Sequence, residues 1–496
     1  MRITNKIMQN NSLMNINNNK VMQDKLNTQM VTGSVLTRPS DDPVVAIRAM
    51  RLSTNVTKLD QYSKKNAEDA ENWLSVTEEA IDSVTELLED MYSQCDKAVN
   101  DEKNTSNYRA IIEKMKALRD EIYACGDADY AGRNLFTGYR TESRLSFLEN
   151  TSIKYTIHEE FTLEDLEERS YLDTGDVMEY SNAGGFTSDE TDVVLSQYQR
   201  IRLSYQNLDQ ALPVDLAYNY TDPATGTESV RYVTFMPKSS TDAGAYEPAD
   251  DEAFYLADTG ELVLGKNAVM ELSGLPKDTV FTVSYDKSSW EKGDLRPEHY
   301  FDCEAVDGDG NLITYQSGSK QDIYYDLGAN QTLKVNTNAN EVFFHDIGRD
   351  VDDLETMVNQ LEKIDDIITS LEKKIAGGLD GTELEDAQLQ LAAAQKAQDL
   401  KRDQVQKLFG STITSMQGYS DQVGIALTGV GTKGNRLDLI KNRLNSQRDT
   451  FKELLQENTK KDIEETTTEL ASVKLAYDAA LSATAKILEN SLMDYI

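Results

Sequence analysis

The chain has little cysteine, proline or histidine: three, eight and three residues of each among 496. Three cysteines, Cys95, Cys125 and Cys303, are too few for a disulfide framework. If the helices that carry Cys95 and Cys125 fold back near residue 103, their sulfurs lie about 20 Å apart, which is beyond disulfide reach. We therefore expect free thiols that are buried or incidental.

Basic charge and long apolar segments are also scarce. The 50 Lys and Arg face 86 Asp and Glu, which gives a formal net charge of −36 at pH 7. A surface this acidic repels phosphate backbones and anionic lipid, so we expect no nucleic-acid partner. No stretch reaches the ~18 apolar residues of a membrane span, and residues 1–20 are polar. We therefore expect neither membrane insertion nor a cleavable signal peptide.

The clearest pattern that is present is a seven-residue repeat from Asp41 to about Asn100. Asp41 and Asp42 can cap the start of a helix, and Pro43 suits its first position because no backbone donor is needed there. Beyond them, apolar and small residues recur at alternating steps of four and three, which predicts a long helix of the coiled-coil type. Its seam includes Leu52, Val56, Leu59, Trp73, Val84 and Leu87.

The C-terminal part of the chain has the same kind of pattern. Helical periodicity runs from Val351 to Ile375 and returns after Met416, with Leu437 and Leu444 on its seam. Neither end contains a core of its own, so we expect the two ends to pair with each other and with neighbouring copies. The predicted contact residues are Ile3, Ile7, Met14, Val21, Leu470, Val473, Tyr477, Ile487 and Leu492.

Between the helical parts, residues from about 141 to 346 alternate apolar and polar side chains in short runs separated by turn signals. Residues 231–235 and 280–285 are two such runs, and residues 255–264 are predicted to form a hairpin. Strands without long helices between them predict an antiparallel sheet. The expected fold class is α+β: a long antiparallel α-helical coiled coil or bundle formed by the N- and C-terminal segments, with an inserted antiparallel β domain.

The sequence offers no complete catalytic or cofactor-binding set. His299 and Cys303 lie four residues apart, as half of a zinc site would, but no second ligand pair follows at metal spacing. Adjacent carboxylates such as Asp41 and Asp42 cap helices far more often than they catalyse. We therefore expect no enzymatic activity, no metal and no cofactor. A secreted enzyme with its activity in the β region stays an alternative, which a metal or substrate bound near His299 and Cys303 would support.

Several short segments of the sequence resemble the flagellin superfamily of bacterial axial proteins. They are Met1-Arg2-Ile3-Thr4, Thr32-Gly33-Ser34, Arg38-Pro39-Ser40-Asp41-Asp42-Pro43, Asn134-Leu135-Phe136-Thr137-Gly138, Asn435-Arg436-Leu437 and Ser491-Leu492-Met493-Asp494-Tyr495-Ile496. Pro43 directly after the Asp pair and the C-terminal hexapeptide are more similar to the hook–filament junction branch of the superfamily than to flagellin proper.

The resemblance implies five segments. They are an N-terminal inner-tube segment at 1–42, the N-terminal part of a helical bundle at 43–140, a variable β-rich domain at 141–346, the C-terminal part of the bundle at 347–454 and an inner-tube helix at 455–496.

The resemblance further implies a structural subunit of the flagellum. Such a subunit forms a homo-oligomeric ring at the hook–filament junction, between hook-associated protein 1 and flagellin. It is exported unfolded by the flagellar type III apparatus with the help of an export chaperone, and reaches the outside of the cell without a cleavable signal peptide. The alternative within the superfamily is a divergent flagellin that forms the filament itself.

Overall fold

The chain folds into two compact units. The structure, a computed structural model, describes residues 5–100, 104–173, 190–210, 213–221, 227–306, 310–316, 321–328 and 330–493. The terminal unit contains Met1–Ala70, Tyr325–Leu333 and Asn435–Ile496, and the central unit contains Glu71–Tyr324 and Lys334–Gly434. Long helices from both ends of the chain, with a largely antiparallel sheet between them in sequence, confirm the expected α+β class.

Along the chain a helical block is followed by a β-rich block and then by a second helical block. The described helices are α1 (Asn5–Thr32), α2 (Pro43–Gln61), α3 (Ala67–Asn100), α4 (Thr105–Cys125), α5 (Lys266–Ser273), α6 (His345–Ala376), α7 (Thr382–Thr459) and α8 (Ile463–Met493). The described strands are β1 (Asp129–Tyr130), β2 (Arg133–Asn134), β3 (Lys154–Phe161), β4 (Leu166–Asp173), β5 (Val194–Arg202), β6 (Val214–Thr221), β7 (Glu228–Lys238), β8 (Ala253–Leu256), β9 (Glu261–Leu264), β10 (Phe281–Lys287), β11 (Asp302–Val306), β12 (Leu312–Tyr315), β13 (Tyr324–Gly328) and β14 (Gln331–Lys334).

The terminal unit brings together α1, α2, the last part of α7 and α8. The α1–α8 pair is the most extensive helix–helix contact of this unit. The last turns of α7 contact α2, where the Asn458 side chain donates to the Val45 carbonyl at 3.1 Å and Arg448 lies 3.9 Å from Asp60. The β13–β14 hairpin joins the same unit through its Asp326 carbonyl, which accepts from the Asn66 side chain at 2.7 Å.

One π-helical turn, Tyr62–Asn66, separates α2 from α3. Its winding is wider than that of an α-helix. Ser63 within the turn and Ala67 directly after it, four residues apart, are both buried. From that point the fully buried line of α3 runs through Ala70, Leu74, Thr77, Ile81, Val84, Leu88, Met91, Cys95 and Ala98.

The central unit is built on a ten-stranded sheet with the order β12-β11-β3-β10-β6-β7-β8-β9-β5-β4. All described neighbours are antiparallel except β7 and β8, which run parallel. The predicted hairpin at residues 255–264 is confirmed: β8 and β9 pair with Tyr255 opposite Leu262. Trp290 lies at the centre of the sheet core, with ring centroids 5.0 Å from Phe147 and 5.2 Å from Tyr205.

The helices of the central unit have a core of their own. Tyr108 of α4 stacks on Phe409 of α7 with ring centroids 5.6 Å apart. The Cys95 sulfur lies 3.8 Å from the Met115 sulfur, and Cys95 is a buried free thiol whose pKa burial raises to about 12. No helix among the described residues is both long enough and apolar enough to cross a membrane.

Candidate functional site

The main chain itself fastens the two ends of the sequence together in the terminal unit. Ser34 pairs with Lys460 as an antiparallel β-bridge. On either side of it the Val35 amide donates to the Thr459 carbonyl at 2.7 Å and the Lys461 amide donates to the Gly33 carbonyl at 3.0 Å. Gly33 has φ +65, a conformation in which a side chain is strained, so glycine suits the residue that ends α1.

The helices that leave this link start with aspartate caps. The Asp42 side chain accepts from the Val44 and Val45 amides at 3.0 and 3.1 Å, with Pro43 in the first turn. Asp41 instead closes its own loop: its carboxylate accepts from the Arg38 amide at 2.9 Å, and this hydrogen bond lowers the pKa of Asp41. A carboxylate at a helix N-terminus is also favoured by the helix dipole, so Asp42 stabilises the start of α2.

Helices α1 and α8 run antiparallel from this link. The Thr467 hydroxyl, in the first turn of α8, lies 3.9 Å from the Met30 sulfur near the end of α1. The α8 side of the contact contains the buried Thr466 and the half-buried Leu470, Val473 and Tyr477. Its α1 side is mostly polar, since the less exposed positions, at steps of three and four, are Gln9, Ser12, Ile16, Asn19, Gln23, Leu26 and Met30.

The outward face of α1 carries the larger apolar side chains. Ile7, Met14 and Val21, which are seven residues apart, are 48%, 57% and 63% exposed. Seven-residue spacing keeps them on one face, and the partly buried line toward α8 lies on the other. Large apolar side chains in a row on a helix face typically mark a contact with another chain. The α1 helix therefore has one polar face toward α8 and one apolar face toward solvent.

The residues predicted as assembly and interface contacts thus fall into two groups. Leu470, Val473 and Tyr477 face α1, and Ile7, Met14 and Val21 face away from α8. Ile3 lies outside the described residues. Ile487 and Leu492 lie within α8, at positions whose side chains are outside the described part of the chain.

The predicted packing residues of the long helices also occupy different depths. Trp73, Val84, Leu437 and Leu444 are buried, at 3% exposure or less. Leu52, Val56 and Leu59 of α2 are half-buried. Leu87 is half-buried as well, and its neighbour Leu88 is buried in its place.

Sequence reasoning missed a buried ion cluster in the central unit. Arg200 and Arg202 project from the same face of β5 toward α6. Arg200 pairs with Asp353 at 2.5 Å and with Glu261, and Arg202 pairs with Asp350 at 2.7 Å. Burial alone would raise the pKa of Asp353, but Arg200 and Arg202 hold that pKa well below its ordinary value. The i, i+2 arginines and the carboxylates at helical spacing in α6 were the signals available in the sequence.

The proposed half of a zinc site does not present open ligands. His299 is 9% exposed, and its Nε2 lies 3.0 Å from the Arg144 carbonyl oxygen. Burial lowers the pKa of His299 and raises that of the buried Cys303 thiol to about 12, so a thiolate is disfavoured. Within the described part of the chain no group of three or more His, Cys, Asp or Glu is placed to hold a metal ion.

A cleft of about 480 Å³ in the central unit is lined by charges of both signs. Three of its cations are already bound by the protein. Arg119 pairs with Asp352 at 3.2 Å, Lys287 donates to the Gln206 carbonyl at 2.6 Å, and Arg349 donates to the Leu203 carbonyl at 3.0 Å. These contacts indicate that the cleft walls serve the packing of the unit.

With the helical ends described, comparison with known proteins becomes informative. Residues 3–141 match the family described as the bacterial flagellin N-terminal helical region. Over this region the chain is similar to the flagellin family. This segment includes α1 to α4 and the loop at Gly33–Asp42 that links α1 to α2, and the resemblance seen in its short motifs is confirmed.

Two flagellar hook-associated proteins are among the relatives of the chain. The chain is 28% identical over 144 residues to flagellar hook-associated protein 3 of Salmonella typhimurium, and 27% identical over 144 residues to that of Escherichia coli K12. Each alignment covers 29% of this chain and 45% of the relative, so less than half of either relative is matched. Flagellin of Clostridium tyrobutyricum is 27% identical over 122 residues, which cover 25% of this chain and 32% of that protein.

Among solved structures, flagellar hook associated protein-3 from Legionella pneumophila aligns with 82% of this chain and 98% of its own. The TM-score of that alignment is 0.28 and the sequence identity is 10%.

Proposed function

We propose that this chain is a structural subunit of the bacterial flagellum, of the hook-associated kind. The observation that carries the proposal is the antiparallel α1–α8 pair, whose uncovered outer face presents Ile7, Met14 and Val21 in a chain with a flagellin N-terminal region. Similarity to hook-associated protein 3 in two species supports the hook-associated assignment.

The physical reason for assembly lies in the composition of α1. Its inner face is mostly polar, so the contact with α8 buries little apolar surface within one chain. Burying a large aliphatic side chain contributes about 1.5–3 kcal/mol. Covering Ile7, Met14 and Val21 with neighbouring subunits would therefore add stabilisation that a single chain lacks, and the ends would be most stable in the assembled state.

In finer detail, the proposed place of the subunit is the hook–filament junction. There it forms a homo-oligomeric ring, with hook-associated protein 1 on one side and flagellin on the other. It reaches this place outside the cell through the flagellar type III export apparatus, with an export chaperone that binds it beforehand. In this proposal, segments 1–42 and 455–496 form the inner tube, 43–140 and 347–454 form the bundle, and 141–346 is the variable β-rich domain.

Immunogold labelling of isolated flagella with an antibody against the β-rich region tests the place. One labelled band at the hook end is expected. A strain without the protein should release flagellin into the medium without retaining a filament, and the wild-type gene should restore the filament. Labelling absent from flagella altogether would contradict a flagellar role.

A second candidate function is a divergent flagellin, which the similarity to Clostridium tyrobutyricum flagellin favours. In that case label would cover the whole filament, and the purified protein would polymerise alone into long filaments. Filament formation by the purified chain would therefore overturn the junction proposal and leave the flagellar one standing.

A further inference from the structure

The outward face of α2 combines apolar and basic side chains. Val44 and Ile47 are 69% and 53% exposed, and Arg48 and Arg51 are exposed beside them. Spacings of three, four and seven residues place all four on one face of the helix. Neither arginine forms an ion pair with a described residue. The chain has 86 acidic residues, yet these two arginines beside exposed aliphatic side chains have no partner among the described ones. This arrangement indicates a surface that binds the carboxylates of another molecule.

Charge is divided unevenly along the chain around this face. Residues 1–58 contain eight Lys and Arg and three Asp, and α2 itself holds Arg48, Arg51 and Lys58 against the single carboxylate of Asp60. The following helix, α3, holds ten Asp and Glu and only one basic residue, Lys97. An acidic helix face by itself is an ordinary solvated surface. The acidic surface of α3 is distinguished from such a face by an apolar depression that lies beside it.

This depression lies between α3 and α7 in the central unit and has a volume of about 230 Å³. Leu88, Tyr92 and Met416 line its floor and side, and the carboxylates of Glu89 and Asp421 stand at its rim. A cavity of about 150 Å³ suffices for a benzene-sized apolar group, so an isoleucine side chain fits here. Neither rim carboxylate has an ion-pair partner among the described residues.

We propose that the α2 face of one copy docks into this depression on a second copy. Ile47 enters the apolar floor, and Arg48 and Arg51 pair with Glu89 and Asp421 at the rim. The two surfaces are complementary in apolar character and in charge. The aliphatic side chain of Ile47 meets the apolar floor of the depression, and the two arginines meet its two carboxylates. The α2 face and the depression are different surfaces of the chain. The contact is therefore head-to-tail, and contacts of this kind build rings or helical arrays. This inference rests on the proposed assembly function and names the surfaces that carry it.

Charge reversal of the two surfaces, alone and together, tests the contact in the full-length chain. The α2 variant carries Arg48→Glu and Arg51→Glu, and the recess variant carries Glu89→Lys and Asp421→Lys. Sedimentation velocity at low ionic strength, about 50 mM, should show self-association of the wild type, weakened at about 500 mM because salt screens the pairs. Each variant alone should lose self-association at least about tenfold.

Rescue is the decisive measurement. An equimolar mixture of the two variants should associate about as strongly as the wild type, because each kind of copy then meets a complementary surface on the other. A chain with all four substitutions should self-associate again. Glu383→Lys with Glu385→Lys, an equal charge change on an exposed part of α7, is the matched control and should leave association unchanged.

Cross-linking checks the apolar part of the contact. A chain with Ile47→Cys and Gln417→Cys should form disulfide-linked oligomers under mild oxidation, and either cysteine alone should not form them beyond background. The proposed contact would be overturned by any of three results. They are a wild type that stays monomeric at both ionic strengths, a mixture of the two variants that does not associate, and a control variant that associates as weakly as the charge-reversal variants. The flagellar labelling pattern of the wild type would be unaffected by those results, so the failure of this inference differs from the failure of the proposed function.

Discussion

The Ser63 hydroxyl donates a 2.6 Å hydrogen bond to the side-chain oxygen of Asn445 within the terminal unit. Ser63 is 2% exposed and lies in the π-helical turn at Tyr62–Asn66 that separates α2 from α3. A π turn leaves backbone and side-chain groups displaced from regular helical positions. The Ser63–Asn445 contact fixes this turn against α7.

Replacing Ser63 with alanine should therefore destabilise the terminal unit by about 1–3 kcal/mol, because the Asn445 amide loses a buried partner. Both tryptophans, Trp73 and Trp290, lie in the central unit, so far-UV circular dichroism is the signal to follow during urea unfolding. Thr57→Ala on the exposed side of α2 is the control. A double replacement of Ser63 and Asn445 that costs as much as the two single changes added would show that the pair is not coupled.

The buried carboxyl of Glu159 should make the central unit less stable as the pH rises. Its oxygens accept from the Tyr285 hydroxyl at 2.7 Å and from Ser204, yet burial raises the pKa of Glu159 from 4.5 to about 7. A folded-state pKa above the unfolded one favours the protonated form. The contribution of this group is therefore fully present below pH ~4.5 and is lost as the pH rises through about 7.

The variant Glu159→Gln should remove this dependence. The lost contribution amounts to about 3 kcal/mol. Between pH 5 and pH 8 the free energy of unfolding of the wild type should therefore fall by about this amount relative to that of the variant. Tryptophan fluorescence during urea unfolding measures it at each pH. Glu160→Gln, on the exposed neighbouring position, should behave like the wild type. Parallel pH profiles for Glu159→Gln and wild type would contradict the assignment.

Arg200 should be one of the most sensitive residues of the central unit. Its replacement with methionine leaves Asp353 and Glu261 buried without their cation, which should lower the free energy of unfolding by about 3–5 kcal/mol. Arg169→Met, at a side chain 24% exposed, is the matched control and should cost less than about 1 kcal/mol. If Arg200→Met with Glu261→Met were no less damaging than Arg200→Met alone, the loss would not come from unpaired charge.

A charge on the outer face of α1 should separate folding from assembly. Met14 is 57% exposed, so Met14→Glu should change the stability of the free chain by less than about 0.5 kcal/mol. Incorporation into flagella should fall strongly, because the carboxylate would be buried when a neighbour covers this face. Immunoblots of isolated flagella measure incorporation, with Met14→Leu as the control that retains it. In contrast, Leu470→Glu faces α1 and should lower the helical content of the free chain as well.

Two glycines of α7 should be replaceable with a gain in stability. A Cβ atom at Gly429 or Gly431 would meet no heavy atom within 4 Å, and both residues lie within the helix. Alanine should stabilise the helix by roughly 0.5–1 kcal/mol at each position. Differential scanning calorimetry should show a higher Tm. Gly348→Ala is the contrasting variant, because its Cβ would lie 2.7 Å from the Tyr123 hydroxyl oxygen, and it should lower the Tm.

Periodicity predicted the long helices well, because each buries a seam of apolar residues at regular steps. It could not decide between neighbouring apolar residues at the edge of a seam. Trp73 and Val84 are buried as predicted, but Leu88 is buried where Leu87 was expected. Both residues are leucines, so the pattern of apolar residues alone does not distinguish them.

The usual rule that apolar residues face the partner helix would predict the wrong face of α1 for the contact with α8. There Gln9, Ser12 and Asn19 face α8, while Ile7 and Met14 face outward. A helix completed by other chains need not bury its apolar face within its own. The sequence shows charged residues at regular spacing for the ion cluster but not how they pair, because Arg200 and Asp353 are separated by 153 residues and only the tertiary fold brings them within 2.5 Å.

The link between Gly33 and Lys461 has a consequence for the time course of synthesis. Helix α1, which ends at Thr32, leaves the ribosome well before α8, which begins at Ile463. At roughly 5–20 residues per second, translation of the intervening chain takes roughly 20–90 s. During that interval α1 has no partner from its own chain, and both its faces are open to any protein that binds nascent polypeptides.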